Sequence, residues 1–386
     1  MRRLIGITPE YNVFSEHRRI SNLVLSGEVE YFHIRKPRFT EEQMREYLSH
    51  FDNPFVKERL SLHDYHHLAL ELDLGGIHLN SRNPILKEEY KNKRISVSCH
   101  SLEEIKKWKE KTDYCFMSPI FDSISKQGYT SKFSSQVLQQ GFNSGILDNK
   151  IVALGGVTYD NIKDLQNIGF SSFAMLGELW KLPKTMFISP NKDSKNIIKD
   201  CEEVLQHGIK FIQLRMKEAS NDEVIEVANY LRYLCDKHCA LLTVDDRIDL
   251  LHTNLFDGVH LGKNDMPTKE AKKITSNKFL LGATCNTIED VLQAISNKAD
   301  YLGIGPYRFT TTKKNLSPIL GLEGYKNIIE RLNKEKINIP FYAIGGIDIE
   351  DLVPLKQSGV YGIAISGTIT NANNKQKTIK TIIKTF

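Results

Sequence analysis

Short apolar runs alternate with longer amphipathic stretches along the whole chain. Short runs between turn residues are typical of buried strands, and apolar positions three and four apart are typical of helices. In the second half the runs predict eight strands, at residues 186–188, 210–214, 240–244, 258–261, 279–283, 300–305, 340–344 and 361–365. Helical spacing is clearest at residues 221–239, 288–296 and 324–333. The first half predicts eight matching strands, at residues 4–8, 31–35, 59–63, 76–79, 95–99, 113–117, 150–154 and 172–176.

An internal repeat relates the two halves. Phe-His-Ile-Arg at 32–35 lies over Ile-Gln-Leu-Arg at 212–215, and Gly-Ile-His-Leu at 76–79 lies over Gly-Val-His-Leu at 258–261. Further on, Ala-Leu-Gly-Gly-Val at 153–157 lies over Ala-Ile-Gly-Gly-Ile at 343–347. The matches keep their order, and their offset grows only from 180 to 190 residues, as loop insertions would produce. We therefore infer a tandem duplication.

Eight successive strand–helix units in each copy predict a (β/α)8 TIM barrel, which is an α/β fold with a closed parallel sheet. A doubly wound open sheet is the main alternative, but the glycine-rich fingerprint expected after its first strand is missing. We predict two tandem barrels, with a first domain at residues 1–184 and a second at residues 185–386.

Composition narrows the classes of protein to consider. Of the 386 residues, 40% are hydrophobic and 26% are charged, which is ordinary for a globular protein. No apolar run approaches the roughly 18 residues of a membrane span, and the apolar stretch at the N-terminus is too short for a signal peptide. The charge of +5 comes without a stripe of Lys and Arg. We expect small-molecule substrates, and neither nucleic acid nor a membrane as a partner.

The six cysteines have irregular spacing, which favours reduced thiols in a cytoplasmic protein. One cluster has the residue types of a metal site, namely Cys235, His238 and Cys239. Such a site would need further ligands, which the neighbouring sequence does not supply.

Polar and charged residues follow the predicted strands of the second copy, at the end of a barrel where active sites form. Asp246 and Asp265 offer the hard oxygen ligands that hold Mg²⁺ together with substrate phosphate oxygens. Three cations at the same end are suited to bind phosphate, namely Arg215, Lys217 and Lys313. Glycines after strands seven and eight commonly bind phosphate in this fold, and here they are Gly345, Gly346 and, after Ser366, Gly367. The set predicts a transferase with a diphosphate substrate and a phosphorylated acceptor.

Each of these signals also has a structural interpretation. Arg215 and Asp246 would serve as an ion pair at the barrel mouth, and Asp245 and Asp246 would serve as a helix start, since Asp is a favoured N-cap. The threonines at 310–312 would form a polar loop, and the glycine pair at 345–346 a tight turn. Their convergence on one rim favours the functional interpretation.

Six motifs of the second copy occur in the order and at the spacing found in one enzyme family. They read Gln-Leu-Arg-Met-Lys at 213–217, Val-Asp-Asp-Arg at 244–247, Asp-Gly-Val-His-Leu-Gly at 257–262 before Asp265, Gly-Pro at 305–306 before Thr-Thr-Thr-Lys-Lys at 310–314, Ala-Ile-Gly-Gly-Ile at 343–347 and Ala-Ile-Ser at 364–366. Over essentially its whole length this copy resembles thiamine phosphate synthase. The resemblance implies condensation of 4-amino-2-methyl-5-(diphosphooxymethyl)pyrimidine with a thiazole phosphate, giving thiamine phosphate and diphosphate. It also implies that diphosphate leaves first and that the thiazole nitrogen captures the pyrimidine-methyl cation.

The resemblance further implies roles for individual residues. Asp246 and Asp265 would bind Mg²⁺, and Arg215 and Lys313 would be catalytic. The implied substrate contacts are Gln213, Leu214, Arg215, Met216, Lys217, Asp245, Thr284, Thr310, Thr311, Thr312, Lys313, Gly345, Gly346, Ile365 and Ser366. Residues 213–217 belong to the pyrimidine diphosphate site, and residues 310–312, 345, 346, 365 and 366 belong to the thiazole phosphate site. Asp245 departs from the family, which usually has Asn there.

The first copy resembles the TenI-type relatives of the synthase, which include a thiazole tautomerase. His-Ile-Arg at 33–35, Gly-Ile-His-Leu at 76–79, Ser-Cys-His-Ser at 98–101 and Ala-Leu-Gly-Gly at 153–156 carry the resemblance. By the repeat, Asp64 lies over Asp246 but Asn83 lies over Asp265, so one predicted metal carboxylate is missing. We expect phosphate binding in this copy, with charge from Arg35 and Lys126, but no coupling reaction.

The sequence allows several functions for the first copy. A tautomerase needs a general acid or base. Pro119 takes the position of the family's catalytic His, which leaves His33, His63 and His100 as substitutes or as ordinary structural residues. The copy would then be a thiazole-processing enzyme or a non-catalytic partner barrel. For the chain as a whole, a phosphate-binding isomerase or aldolase is the alternative function, and either a homodimer or an intramolecular pair of barrels is the expected association.

Overall fold

The structure, a computed structural model, describes residues 3–121, 133–309 and 318–386. The chain divides into two compact units, one of Met1–Asn12 and Glu16–Lys181 and the other of Val13–Ser15 and Leu182–Phe386. The boundary predicted at residue 184 lies close to this division. Among the described residues, no helix has the length and apolar character needed to cross a membrane.

Each unit is built on a closed barrel of eight parallel strands. The strands of the first barrel are β1 Arg3–Ile7, β2 Tyr31–Ile34, β3 Leu60–Leu62, β4 Gly76–Leu79, β5 Arg94–Cys99, β6 Tyr114–Met117, β7 Ile151–Ala153 and β8 Ser172–Met175. Those of the second are β9 Thr185–Ile188, β10 Phe211–Leu214, β11 Leu241–Asp245, β12 Gly258–Leu261, β13 Leu280–Cys285, β14 Tyr301–Ile304, β15 Phe341–Ile344 and β16 Gly362–Ile365. The predicted pair of TIM barrels is confirmed. The first and last residues of every predicted strand lie within two residues of those of the observed strand.

Helices follow the strands in both units. In the first unit they are α1 Glu16–Leu25, α2 Glu41–Leu48, α3 Pro54–Lys57, α4 His67–Glu71, α5 Leu102–Trp108, α6 Ser135–Asn143, α7 Ile162–Ile168 and α8 Gly177–Trp180. In the second they are α9 Ser194–Gln206, α10 Asn221–Lys237, α11 Thr268–Thr275, α12 Ile288–Ser296, α13 Gly321–Lys334, α14 Leu352–Ser358, α15 Gly367–Thr370 and α16 Lys375–Thr385. Short 3₁₀ helices occupy Glu88–Tyr90, Lys109–Lys111, Ile248–Thr253 and Ile349–Asp351.

The alternation of side chains along each strand decides which residues reach the site. In β10, Ile212 and Leu214 pack outward into the core between sheet and helices, whereas Phe211 packs inside the barrel and Gln213 lines its cavity. This is the two-residue period of a β-strand. A residue's parity along the strand therefore separates core positions from site positions.

Aromatic rings fill the lower part of the second barrel. Phe211, Tyr301 and Tyr342 meet there with ring centroids 5.6 to 5.9 Å apart. Each ring comes from the first or second residue of its strand, so it lies in the N-terminal half of the barrel. Gly282 makes room for them, because a Cβ at this position would lie 2.3 Å from Cζ of Tyr301. The open space of the barrel is therefore left at the C-terminal ends of the strands.

Candidate active site

The second barrel has a cavity of about 730 Å³ at the C-terminal ends of its strands. Ten of the residues predicted for the site line this cavity: Gln213, Arg215, Lys217, Asp245, Asp246, Thr284, Gly345, Gly346, Ile365 and Ser366. Asp265 joins them through its contact with Asp246. The tertiary structure thus gathers residues from six different strands and their following loops into one site.

Asp245 lies at the floor of the cavity between two polar partners. Gln213 donates a hydrogen bond from Nε2 to Oδ1 of Asp245 at 2.6 Å, and Nε of Arg215 lies 3.4 Å from Oδ2. Burial, reinforced by the negative charge of Asp246, raises the pKa of Asp245 to about 7. The ion pair suggested between Arg215 and Asp246 is therefore formed with Asp245 instead.

Asp246 and Asp265 form the second pair of carboxylates. They are hydrogen-bonded to each other, and the backbone N–H of Gly262 donates to Oδ2 of Asp265 at 2.6 Å. Lys217 approaches Oδ2 of Asp246 at 2.7 Å. Burial opposes ionisation of Asp246, but the hydrogen bonds from Asp265 and Lys217 outweigh it and lower the pKa of Asp246. Burial and the hydrogen bond with Asp246 raise the pKa of Asp265 to about 6.

This carboxylate pair fits a divalent cation. Two carboxyl groups in direct contact cannot both ionise easily without a neighbouring positive charge, and hard oxygen donors are the ligands that Mg²⁺ prefers. Asp246 also has a left-handed backbone, with φ of +67°, which is uncommon for a residue with a side chain and directs its carboxylate from the turn that follows β11. The 3₁₀ helix that follows begins at Ile248 and has no side-chain cap, so the N-cap interpretation of the two aspartates is not supported.

The raised pKa of Asp245 predicts a pH-dependent effect of Asp245→Asn in metal-free protein. The folded chain keeps a proton that the unfolded chain has released, so between about pH 4 and pH 7 the free energy of unfolding falls as pH rises. Asn has no charge to bury and can still accept the bond from Gln213. We expect its melting temperature in EDTA to exceed wild type at pH 8 by about 2–4 °C, and the gain to vanish near pH 4. A difference that is independent of pH would contradict this assignment.

Two glycines form the opposite wall of the cavity. Gly345 and Gly346 follow β15 with φ of +91° and +67°, a region that favours glycine. A Cβ at Gly346 would lie 2.7 Å from the backbone oxygen of Phe309, so only glycine fits there without displacing the backbone. Ser366 follows β16 and immediately precedes α15, while the side chain of Ile365 packs in the outer core. Small residues and exposed backbone on this wall suit a phosphate group.

Thr284 is held by a histidine that the sequence analysis did not single out. His260 in β12 lines the cavity, with Nε2 3.0 Å from Oγ1 of Thr284 and Nδ1 3.2 Å from the hydroxyl of Tyr301. Strand parity could have found His260, because Val259 and Leu261 are the outward residues of the Gly-Val-His-Leu motif. The start of α16 also contributes Asn374, Lys377 and Thr378, which no strand-end motif would indicate.

Some predicted contacts are not brought to the cavity. Leu214 and Met216 belong to the hydrophobic core outside the barrel and are not among the cavity's lining residues, because their parity is opposite to that of Gln213 and Arg215. Their predicted contact with substrate stays a prediction. Thr310, Thr311, Thr312 and Lys313 lie outside the described residues, as does Lys126 of the first copy.

The first barrel also has a cavity of about 730 Å³, but the equivalent carboxylate is neutralised by the chain itself. Nε and Nη2 of Arg82 each lie 2.9 Å from an oxygen of Asp64, and Nδ2 of Asn83 donates to the same carboxylate at 3.0 Å. A planar bidentate pair of this kind leaves little reason for a cation to bind. Arg35 lines this cavity and is paired with Glu10 at 2.8 Å.

Comparisons with known proteins lead to one family. The family model described as thiamine monophosphate synthase matches residues 4–179 and again residues 185–369. Thiamine-phosphate synthase of Bacteroides fragilis is 48% identical over 197 residues, which are 51% of this chain and 97% of that protein. The enzyme of the same name from Flavobacterium johnsoniae is 39% identical over 193 residues, which are 50% of this chain and 91% of that protein.

Among solved structures, thiamine phosphate pyrophosphorylase from Pyrococcus furiosus is 33% identical, covering 52% of this chain and 94% of that one with a TM-score of 0.46. The family resemblance predicted from the motifs is confirmed for each half by the matched residues, and no isomerase or aldolase family is needed to account for the site. The chain therefore belongs to the thiamine monophosphate synthase family, and the family model matches each of its two barrels.

Proposed function

We propose that the second barrel couples an aminopyrimidine diphosphate to a thiazole phosphate, forming thiamine phosphate and diphosphate. The observation that carries the proposal is the contact of Asp246 with Asp265 beside Lys217, on one wall of a cavity whose other wall is formed by Gly345 and Gly346. Anion-binding groups thus stand at two separated positions, as two phosphorylated substrates require. The relatives named thiamine-phosphate synthase support the same assignment.

In this proposal different residues of the second barrel bind different parts of the pyrimidine diphosphate. Arg215 and Lys217 bind the diphosphate, and Gln213 with Asp245 faces the aminopyrimidine ring. In the reaction the C–O bond of the pyrimidine methylene breaks, and diphosphate leaves with the electron pair. The thiazole nitrogen then donates its lone pair to the cationic methylene carbon. Cationic side chains held beside the leaving group stabilise the charge that develops on it.

Asp246 and Asp265 are the residues that would hold Mg²⁺. Bound there, the ion supplies positive charge to the diphosphate leaving group. In the absence of a cation Asp246 and Asp265 contact each other, and Lys217 is paired with Asp246. Lys217 is therefore placed to exchange its carboxylate partner for a phosphate oxygen when substrate and cation bind.

The first barrel, in our proposal, binds a monophosphate but does not couple. Gly155 and Gly156 line its cavity with φ of +97° and +65°, as the glycine pair does in the second barrel. Arg82 is paired with Asp64 at the position equivalent to the proposed cation site, so no cation would stabilise a diphosphate leaving group there.

The proposed activity is tested with the full-length chain, both substrates and Mg²⁺. We expect thiamine phosphate and diphosphate in equal amounts, and no product when EDTA is in excess. Product formation that is insensitive to EDTA would contradict the metal assignment, and no product with either thiazole phosphate tautomer would contradict the proposed function.

A negative charge at the glycine wall should raise the KM for one substrate much more than the KM for the other. Ser366→Asp places a carboxylate where we propose that the thiazole phosphate binds, and like charges a few ångströms apart repel. We expect the KM for thiazole phosphate to rise by about tenfold or more, with a much smaller change in the KM for the pyrimidine diphosphate. The matched control is Ser366→Asn, which is similar in size but neutral. Equal changes in both KM values would show that Ser366 does not contact the thiazole phosphate.

Restoring the missing carboxylate should not activate the first barrel. In a chain whose second barrel is weakened by Asp265→Asn, we expect Asn83→Asp to leave the residual rate of coupling unchanged. Arg82 remains paired with Asp64, and His33 takes the position that Gln213 has in the second barrel. The measurement is thiamine phosphate formation over long incubation. Recovery of coupling by Asn83→Asp alone would contradict the role given to Arg82.

A further inference from the structure

Three histidines meet inside the first barrel, in a cluster formed by His33, His63 and His78. All three are buried, and one ligand nitrogen from each lies within 4.8 Å of the others. Nδ1 of His33 lies 3.0 Å from Nε2 of His63. His63 and His78 line the cavity, while His33 lies behind them with no exposed surface. The cluster can therefore be reached from solvent through the cavity.

Hydrogen bonds to the outer nitrogens set the tautomer of His78. Oγ of Ser96 lies 2.9 Å from Nδ1 of His78, and its hydroxyl can donate to the backbone oxygen of Ile77 at 3.3 Å. Both contacts are satisfied together when Nδ1–H of His78 donates to Ser96. The other ring nitrogen, Nε2, then carries the lone pair, and it accepts from Ser98 on the side of the cavity at 2.9 Å.

A tyrosine hydroxyl fixes the ring of His33. Its Nε2 lies 2.6 Å from the hydroxyl of Tyr114, while Nδ1 faces His63. A hydrogen bond from the outer nitrogen of an imidazole to a fixed partner is the arrangement seen around metal-bound histidines, because it fixes both the ring and the tautomer. Burial also disfavours the charged form of each ring, and the neutral imidazole is the form that binds a metal.

The second barrel provides an internal comparison. By the duplication, His33, His63 and His78 correspond to Gln213, Asp245 and His260. There the hydrogen bond from Gln213 to Asp245 takes the place of the contact between His33 and His63. Only the first barrel presents three imidazoles, and among the described residues no other group of three His, Cys, Asp or Glu side chains has this spacing.

From this arrangement we propose that His33, His63 and His78 bind a transition-metal ion of the Zn²⁺ class inside the first barrel. Zn²⁺ takes imidazole nitrogens at about 2.0–2.1 Å, so two ligand nitrogens on a tetrahedral ion lie roughly 3.3 Å apart. The 3.0 Å between His33 and His63 is close to that value, and the ligand nitrogen of His78 lies within 4.8 Å of both. Imidazole also suits such ions better than it suits Mg²⁺.

The surroundings of the cluster are compatible with a cation. Two arginines of the cavity wall are each paired with a carboxylate, Arg35 with Glu10 and Arg82 with Asp64. Arg94, which acts electrostatically on His33, donates to the backbone oxygen of Glu58 and the hydroxyl of Ser61. Three protein ligands leave a fourth position, as in zinc sites that bind water or a substrate oxygen. Here that position faces the cavity. The first barrel would thus bind an anionic or oxygen-bearing ligand through a metal, in contrast to the carboxylate-held cation proposed for the second barrel.

The site is tested by direct metal binding to the full-length chain, independently of coupling activity. Metal-free protein is titrated with Co²⁺ in excess Mg²⁺, which keeps Asp246 and Asp265 occupied. We expect one Co²⁺ per chain with the strong visible absorption of a four- or five-coordinate ion with nitrogen ligands. Zn²⁺ should displace it, and equilibrium dialysis with elemental analysis should find one Zn²⁺ per chain.

Substitutions then assign the ion to the cluster. His33→Gln introduces the residue that the second barrel carries at this position, so the fold accommodates it, and we expect metal affinity to fall by about a hundredfold or more. His63→Gln should do the same. His100→Gln changes another histidine of the same cavity outside the cluster, and it should leave binding unchanged.

A milder pair of variants tests the orienting hydrogen bond. Tyr114→Phe removes only the hydroxyl that contacts His33, and we expect affinity to fall by about tenfold while the absorption spectrum is retained. Tyr301→Phe removes the equivalent hydroxyl of the second barrel and should have no effect. Failure of the wild-type chain to bind Co²⁺ or Zn²⁺ under these conditions, or binding that survives both His33→Gln and His63→Gln, would overturn the proposal.

Discussion

Asp265→Asn is expected to lower kcat for coupling by about a hundredfold or more, the largest effect we predict for a single carboxylate. Asp265 is hydrogen-bonded to Asp246 and receives the N–H of Gly262, so its position is fixed while its charge is removed. With one anionic ligand left, Mg²⁺ should bind more weakly and the leaving diphosphate should lose stabilisation. Steady-state kinetics at several Mg²⁺ concentrations will show both a higher Mg²⁺ requirement and a lower limiting rate.

The matched control for Asp265→Asn lies in the other barrel. Asp64→Asn changes the residue equivalent to Asp246, which is held by Arg82 and carries no proposed cation. We expect coupling by this variant to equal wild type. If Asp64→Asn abolished coupling while Asp265→Asn retained full activity, the assignment of the reaction to the second barrel would be reversed.

Gly346→Ala should reduce kcat/KM for thiazole phosphate by about a hundredfold, because displacement of a binding wall by an ångström has effects of that size. The added Cβ would lie 2.7 Å from the backbone oxygen of Phe309 and 3.0 Å from the backbone oxygen of Arg308. Neither atom belongs to a flexible side-chain end, so the backbone itself must move. The left-handed φ of +67° adds about 1–2 kcal/mol of strain for any residue with a Cβ.

Gly27→Ala separates these two effects. Gly27 has nearly the same left-handed backbone, with φ of +75°, but a Cβ there would meet nothing within 4 Å. We expect it to lose a comparable amount of stability from backbone strain and to keep full activity. Comparison of melting temperature with kcat/KM for the two variants then distinguishes a displaced site from a weakened fold. Unchanged kinetics in Gly346→Ala would remove the glycine wall from the proposed phosphate site.

Much of this protein can be read from its sequence because the relevant signals are local. The two-residue period of β10 and its counterpart at residues 31–35 identify strands, and the parity of Gln213 and Arg215 places them inside a barrel. The duplication then supplies a second, independent copy of the same pattern. The same parity places the side chains of Leu214 and Met216 in the outer core.

Pairing between charged groups depended instead on the tertiary structure. Three neighbouring cations and three carboxylates allow several combinations, and sequence spacing does not choose among them. Arg215 contacts Asp245 and Lys217 contacts Asp246 because strands β10 and β11 are adjacent in register. The bidentate contact of Arg82 with Asp64 likewise depends on where one loop of the first barrel lies.

The sequence by itself thus determined the two barrels, the end of each barrel that carries the site, and most residues that face the cavity, because strand period and repeat order are properties of neighbouring positions. Only the tertiary structure decided which carboxylates contact each other, which arginine neutralises which aspartate, and that His33, His63 and His78 converge within 4.8 Å. Those outcomes depend on distances between different strands, and closure of the barrel sets such distances in space without leaving a pattern along the chain.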